Sequence, residues 1–319
     1  MITPELLHYG AAVTTIIIST HGAGIALGIA SSGAQDAFNR QPTGHNHEFR
    51  AMIIGLALIE SGAIIALVTT LLILLRGVQS ITMESAIVEM SIGLMVGITA
   101  AAASIASSFA VRSATQAIAR QPLFASKIIT FMLLSQTIIE APVIFAFIVG
   151  IIIKSQLPHI TLLSQALHLC AASTVMAVGC IGPSIGQGIF SYAAGKAIGI
   201  NKNAYNRLFP FSLINQAFVE TPMIFCVFLA MLMLYTPLPT TTSLNDPIRL
   251  MTAGLTLAVG SFGSAIGIGY VGAHSCKQIA LEPHLYGTLI RATLLVIAFI
   301  ESVGIYALII AMFLITKVQ

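Results

Sequence analysis

The chain has 319 residues, 57% of them hydrophobic and only 8% charged, with a formal net charge of +3 and a mean hydropathy of +0.96. A soluble domain cannot cover its own surface from such a composition. Nothing in it suggests nucleic-acid binding, and the chain reads as an integral membrane protein whose spans use up the whole sequence.

In chain order, the first span covers residues 8 to 36. Its leader, M-I-T-P-E-L-L-H, carries an acid and no Lys or Arg, and the span is too long for the apolar core of a signal peptide, so it is expected to remain in the mature protein. The loop after it holds N-R-Q-P at 39 to 42 and the pair His45 and His47. An H-x-H without further ligands is read as a solvated loop, not a metal site. The second span, 50 to 75, contains the apolar run Ala51 to Leu75, whose 25 residues exceed the roughly 20 needed to cross the hydrocarbon core. Six more spans are expected at 85 to 117, 127 to 153, 163 to 199, 208 to 235, 249 to 280 and 288 to 316. They are separated by A-R-Q-P at 119 to 122, I-N-K-N at 200 to 203, L-E-P-H at 281 to 284 and a Pro- and Thr-rich connector at 236 to 248. The four cysteines, Cys170, Cys180, Cys226 and Cys276, lie in apolar spans at no ligand-like spacing and are read as small buried hydrophobes.

A fourfold internal repeat organises these spans. The segments A-L-I-E-S-G, T-I-I-E-A-P, A-F-V-E-T-P and A-F-I-E-S-V place Glu60, Glu140, Glu220 and Glu301 at separations of 80, 80 and 81 residues. Each glutamate follows a β-branched residue and precedes an isoleucine by four positions. Stepping back 38, 36, 34 and 32 residues from each one finds only small residues. These are Gly22, Gly24, Ala26 and Gly28; Ala102, Ser104, Ala106 and Ser108; Gly182, Ser184, Gly186 and Gly188; and Gly263, Ala265, Gly267 and Gly269. Residues four apart stack on one flank of a helix, so each set makes a helix small on two flanks, able to pack closely on both sides. The expected fold is therefore an all-α membrane protein of eight spans in four tandem hairpins, 1–78, 79–158, 159–240 and 241–319. Each hairpin is a small-residue helix, a polar loop and a bulky helix with one glutamate. Pro142 and Pro222, two residues after their glutamates, are either tolerated kinks or openings that free a carbonyl for the site.

Most of the 14 Lys and Arg residues, including Arg40, Arg50, Arg120, Lys127, Lys196 and Lys277, lie on the hairpin-loop side. The other side holds Arg76, Lys154, Arg249 and Lys317. By the excess of cations on cytoplasmic segments, the loops are expected in the cytoplasm and both termini on the opposite side.

Small-residue helix, Arg-Gln-Pro loop and intramembrane glutamate together resemble the rotor-ring c-subunit, or proteolipid, of F-type ATP synthases, four times over. The resemblance implies a two-layered ring in a bacterial inner membrane, with three chains and twelve carboxylates as the working number. It implies a non-catalytic ion-translocating subunit without a cofactor, whose partners are further copies of itself, the stator a-subunit, the central-stalk subunits gamma and epsilon, and membrane lipid. Arg40, Gln41, Pro42, Arg120, Gln121 and Pro122 would dock the stalk, and Glu60, Glu140, Glu220 and Glu301 would bind the ion. A charged carboxylate at mid-membrane is costly, so each stays neutral and loaded in lipid and ionises only where water or a fixed cation meets it.

Sodium-type rings of this family add a glutamine in the first helix, hydroxyls after the glutamate and a tyrosine. Here the candidate auxiliary ligands are Gln187, Thr221, Ser61, Ser302 and Tyr306, and Gln187 with Glu220, Ser302 and Tyr306 is a candidate complete sodium site. Each hairpin alone holds only part of that set, and sodium needs several oxygens, so protons are the expected cargo and sodium the alternative. A multi-pass secondary transporter, the distant alternative, is opposed by four parallel copies with one acid each, since transporters favour inverted or twofold repeats around one site.

Overall fold

The computed structural model describes residues 3–77 and 81–316. The expected boundary at 78–79 and Lys317 lie outside them. All regular structure among the described residues is helical: α1 Pro4–Arg40, α2 His45–Ile59, α3 Ser61–Leu74, α4 Met83–Arg120, α5 Ala125–Gln156, α6 Leu163–Gly179, α7 Ile181–Ile200, α8 Tyr205–Tyr235, α9 Asn245–Gly260, α10 Phe262–Leu281 and α11 Tyr286–Thr316. Taken with the turns that lead into them, they make eight helical stretches long and apolar enough to cross a membrane. Helices dominate because backbone polar groups in hydrocarbon must bond within their own segment. The entry points are capped from the sequence. The Thr3 hydroxyl accepts from Leu6 N ahead of Pro4, and Thr82 forms a reciprocal cap with Ser85, each satisfying donors that the first turn leaves free.

Each hairpin loop ends its helix at one residue with non-helical dihedrals, Gln41, Gln121, Asn201 or Glu282, followed by a short 3₁₀ turn. In three loops the next residue is proline, which pushes its predecessor out of the helical region. The third loop lacks the proline. There the Asn201 side chain accepts from the Asn203 N–H at 3.0 Å and makes the same turn by side-chain capping.

The helices form two layers. α1, α4, α6–α7 and α9–α10 pack side by side, and α2–α3, α5, α8 and α11 pack outside them, each against its own inner helix and more sparsely against the next outer one. The small-residue columns lie in the inner layer, as the sequence predicts. A Cβ on Gly22 would overlap Ala101, and one on Gly186 would overlap the Ala265 carbonyl oxygen. The third and fourth hairpins touch at backbone level, since a Cβ on Gly269 would lie 2.5 Å from Gly186 O. The two terminal hairpins use only one flank. Among the described residues nothing lies within 4 Å of a Cβ on Gly24, Gly28 or Gly263.

The spans are not all continuous. The outer helix of hairpin 1 is interrupted at Glu60, and the inner helices of hairpins 3 and 4 at Cys180 and Ser261. Glycine, serine and proline explain the sites: Ser61 and Gly62 follow Glu60, Gly182 and Pro183 follow Cys180, and Gly260 and Gly263 flank Ser261. Such residues weaken or delete ladder bonds. Pro142, Pro210 and Pro222 instead sit inside unbroken α5 and α8; lacking an N–H, Pro142 and Pro222 leave the Ile138 and Phe218 carbonyls without a ladder donor, so continuity of the helix is compatible with both readings of these prolines.

Between hairpins 1 and 2, at the end away from the loops, Glu89 of α4 is 1% exposed. It accepts from Arg76 Nη1 at 2.8 Å and lies 2.7 Å from His8 Nδ1. The corresponding positions of hairpins 3 and 4 are Leu169 and Leu250. Glu89→Ala strands both partners, and loss of one member of a buried ionic group costs about 3–5 kcal/mol. Denaturation in detergent should show that loss, with Glu89→Gln intermediate; a variant as stable as the parent would contradict it.

Candidate functional site

All four repeat glutamates lie near the middle of their outer stretches, Glu60 at the junction of α2 and α3 and the others inside α5, α8 and α11. Their burial differs from one hairpin to the next. Glu140 is 8% exposed because hairpin 1 covers it, Glu220 and Glu301 are half-buried, and Glu60, with no preceding hairpin, is exposed.

Glu140 is the site in its covered form. Its Oε2 faces Gly62 of α3, where a Cβ would lie 3.4 Å away, a distance that leaves room for the carboxyl. Hydroxyls of Ser107 on α4 and of Ser61 in the preceding hairpin border it, yet neither carboxyl oxygen has a hydrogen-bond partner among the described residues. Ser104 donates to Ile59 O at 3.0 Å, which satisfies a carbonyl at the Glu60 interruption. An unpartnered carboxyl in such a place is disfavoured when charged, and a proton or a small cation would neutralise it.

One turn nearer the loops lies a layer of buried amides, of which the sequence pattern brought out only Gln187. Gln136 Nε2 donates to Gly55 O at 3.0 Å and to Ser107 Oγ at 2.9 Å. Gln216 Nε2 donates to Ser135 Oγ at 3.3 Å across the next boundary. Gln187 Nε2 donates to Gln216 O at 2.9 Å, and the Oε1 atoms of all three glutamines are buried without partners. The signal was present in the sequence, since Gln136 and Gln216 each stand four residues before their glutamate. Hairpins 1 and 4 have Leu56 and Ile297 there, and Leu27 and Ile268 opposite them. The four sites are therefore chemically unequal, two beside amides and two beside aliphatic groups.

The auxiliary ligands are only partly brought together. Ser61 borders Glu140. The Thr221 hydroxyl donates to Ala217 O at 3.3 Å and that of Ser302 to Phe299 O at 2.7 Å, while Tyr306 is 62% exposed. No hydrogen bond among the described residues joins Ser302 or Tyr306 to Glu220, so the composite sodium site of Gln187, Glu220, Ser302 and Tyr306 is not assembled. The register accounts for this. Glu140 is met by the residue after the preceding glutamate, and the equivalent neighbour for Glu220 is Ala141, not Ser302.

In the loops, Arg40 and Arg120 are exposed, and Pro42 and Pro122 open the 3₁₀ turns. Gln121 is engaged within the chain, its Nε2 donating to Gly199 O of the next hairpin at 3.3 Å. Asn201 Nδ2 does the same to Ala280 O at 2.9 Å. His45 Nε2 lies 2.8 Å from Phe38 O, and no cluster of three or more His, Cys, Asp or Glu suited to a metal occurs among the described residues. All four cysteines are free and buried.

The model of the ATP synthase C-subunit family matches the chain four times, over residues 10–73, 90–153, 170–233 and 251–314, each match enclosing one of the glutamates. The ATP synthase c-subunit of Dehalococcoides mccartyi is 37% identical over 70 residues, 22% of this chain and 92% of the relative. Those of Thermotoga maritima, 40% identical over 63 residues, 20% of this chain and 74% of the relative, and Petrotoga mobilis, 36% identical over 66 residues, 21% and 69%, are similar in the same way. Matched in four consecutive copies along most of its length, the chain belongs to the ATP synthase C-subunit family, as a rotor-ring component with four hairpins in one polypeptide.

Proposed function

We propose that the rotor carries protons, and that Glu60, Glu140, Glu220 and Glu301 are its four ion sites. The observation that carries this reading is the setting of Glu140, a mid-span carboxyl 8% exposed with no hydrogen-bond partner on either oxygen among the described residues and the hydroxyls of Ser107 and Ser61 beside it. A proton neutralises such a group alone, whereas sodium needs several oxygens around it. Each carboxyl stays loaded while it faces lipid or a neighbouring hairpin, and unloads where water and a stator cation meet it. That cation belongs to a partner resembling the stator a-subunit. The exposed loop residues Arg40, Pro42 and Arg120 and the half-buried Pro122 face the central stalk, gamma and epsilon, and Gln41 is available to it, while Gln121 acts chiefly between hairpins. The loops lie in the cytoplasm of a cell whose inner membrane holds the ring, built from three chains.

One observation favours sodium as the second reading: the Gln187 Oε1 is buried and unpartnered, as a vacant oxygen ligand would be. Labelling the purified assembly with a hydrophobic carbodiimide, followed by peptide mapping across pH with and without sodium, separates the two. The expected result is modification of all four glutamates that falls as pH rises and is unaffected by millimolar sodium. Protection by sodium at Glu220 would transfer the role to sodium, and no labelling at any glutamate would overturn the reading.

A further inference from the structure

Three features end abruptly at the two ends of the row of hairpins. The α1 flank bearing Gly24 and Gly28 and the α10 flank bearing Gly263 have nothing against them among the described residues, although the matching flanks inside the chain are in backbone contact. Glu60 is exposed where Glu140 is covered, and Ser302, the counterpart of the Ser61 that borders Glu140, is half-buried at the other edge with no following glutamate beside it in the chain. The loops show the third. At the joints between hairpins 2 and 3 and between hairpins 3 and 4, the residue 19 positions before one glutamate donates a side-chain amide to the carbonyl of the residue 21 positions before the next: Gln121 to Gly199 and Asn201 to Ala280; among the described residues Gln41 makes no such bond to Ala119.

At the edge of hairpin 4 that donor position is Glu282, which as a carboxylate can only accept. The position that would meet it, at the start of another copy, is Asn39, followed by Arg40. Hairpins 2, 3 and 4 have Ala119, Gly199 and Ala280 at the Asn39 position, with no side-chain donor. The polarity of the contact is thus reversed at the one boundary that the chain does not make with itself. Glu282 is exposed, its one ion pair among the described residues being with the exposed His284 at 3.3 Å, while the Arg207 guanidinium donates to the carbonyl of the adjacent Pro283; among the described residues Asn39 and Arg40 have no side-chain hydrogen bond or ion pair.

We infer that Glu282 of one chain is clasped by Arg40 and Asn39 of the next copy, and that the same junction brings Ser302 of the first chain to Glu60 of the second. The inference rests on the ring reading above. The clasp marks the joint between copies with a loop-side charge pair that no internal joint has among the described residues, the Arg76–Glu89 pair between hairpins 1 and 2 lying at the opposite end, so the fourth hairpin of one chain selects the first hairpin of another, and Glu60 becomes a complete site only there. It also engages Arg40 at the joint, leaving Arg120 as the freer loop arginine.

Cysteine pairing tests it in the assembled complex, where the four native cysteines are buried. Mild oxidation of Arg40→Cys, Glu282→Cys is expected to give a ladder of covalent chain multimers, and Arg120→Cys, Glu282→Cys monomers. Glu282→Arg should lower recovery of intact ring by roughly 5-fold per junction, with Arg40→Glu in the same chain restoring it. An intact ring without the ladder, or a double charge swap no better than the single one, overturns the clasp while leaving the ring in place. A chain that stays single in mild detergent overturns both.

Discussion

Glu140→Gln is expected to abolish ion-driven ATP synthesis while leaving the chain folded and assembled, and Glu60→Gln, Glu220→Gln and Glu301→Gln to do the same. Glutamine nearly matches the shape of protonated glutamate, so packing against Gly62, Ser61 and Ser107 survives. It cannot ionise. In a ring of such chains each revolution brings the altered site to the stator, where it offers no anion to the stator cation. A buried ionic attraction is worth several kcal/mol, and each 1.4 kcal/mol of barrier is tenfold in rate, so the loss is on the order of 100-fold or more. Synthesis driven by an imposed pH gradient in reconstituted vesicles measures it. A single variant that keeps half the parental rate would remove that glutamate from the path.

The second large effect concerns packing. Gly186→Val should prevent hairpins 3 and 4 from seating, because the new Cβ would overlap Ala265 O and fall 2.9 Å from a Val219 methyl. A backbone oxygen on a packed helix has nowhere to go, so the cost is expected at or above the usual overpacking range of about 1–3 kcal/mol. Gly24→Val provides the contrast. Its Cβ meets nothing within 4 Å among the described residues, so the single chain should keep its stability in detergent while ring recovery falls, as expected of a flank covered only by another copy. Equal loss of chain stability in both variants would refute the assignment of the Gly24 flank to the joint between copies.

The repeat period, the eight spans and the small-residue columns were legible because each follows from a local rule. Spans announce themselves by length without charge, the glutamates by being acidic in apolar surroundings, and close packing by runs without side-chain bulk. Of the buried amides only Gln187 was legible, because Gln136 and Gln216 look like ordinary polar residues until the helices are laid side by side. Glu89 was hidden likewise: in sequence it is one acid near a span end, and only folding brings His8 from 81 residues away to its carboxylate.

What the sequence alone determined, then, is the architecture and the identity of the four carboxyl positions, since both depend on periodicity along one chain. What only the tertiary structure decided is the environment of each carboxyl. The direction in which hairpins overlap sets Ser61 against Glu140 and withholds Ser302 from Glu220, and it leaves Glu60 open at an edge. Neighbour relations of this kind depend on which flank of each helix faces the next, a three-dimensional choice that identical spacing in four repeats cannot encode. They make four similar segments into four unequal sites.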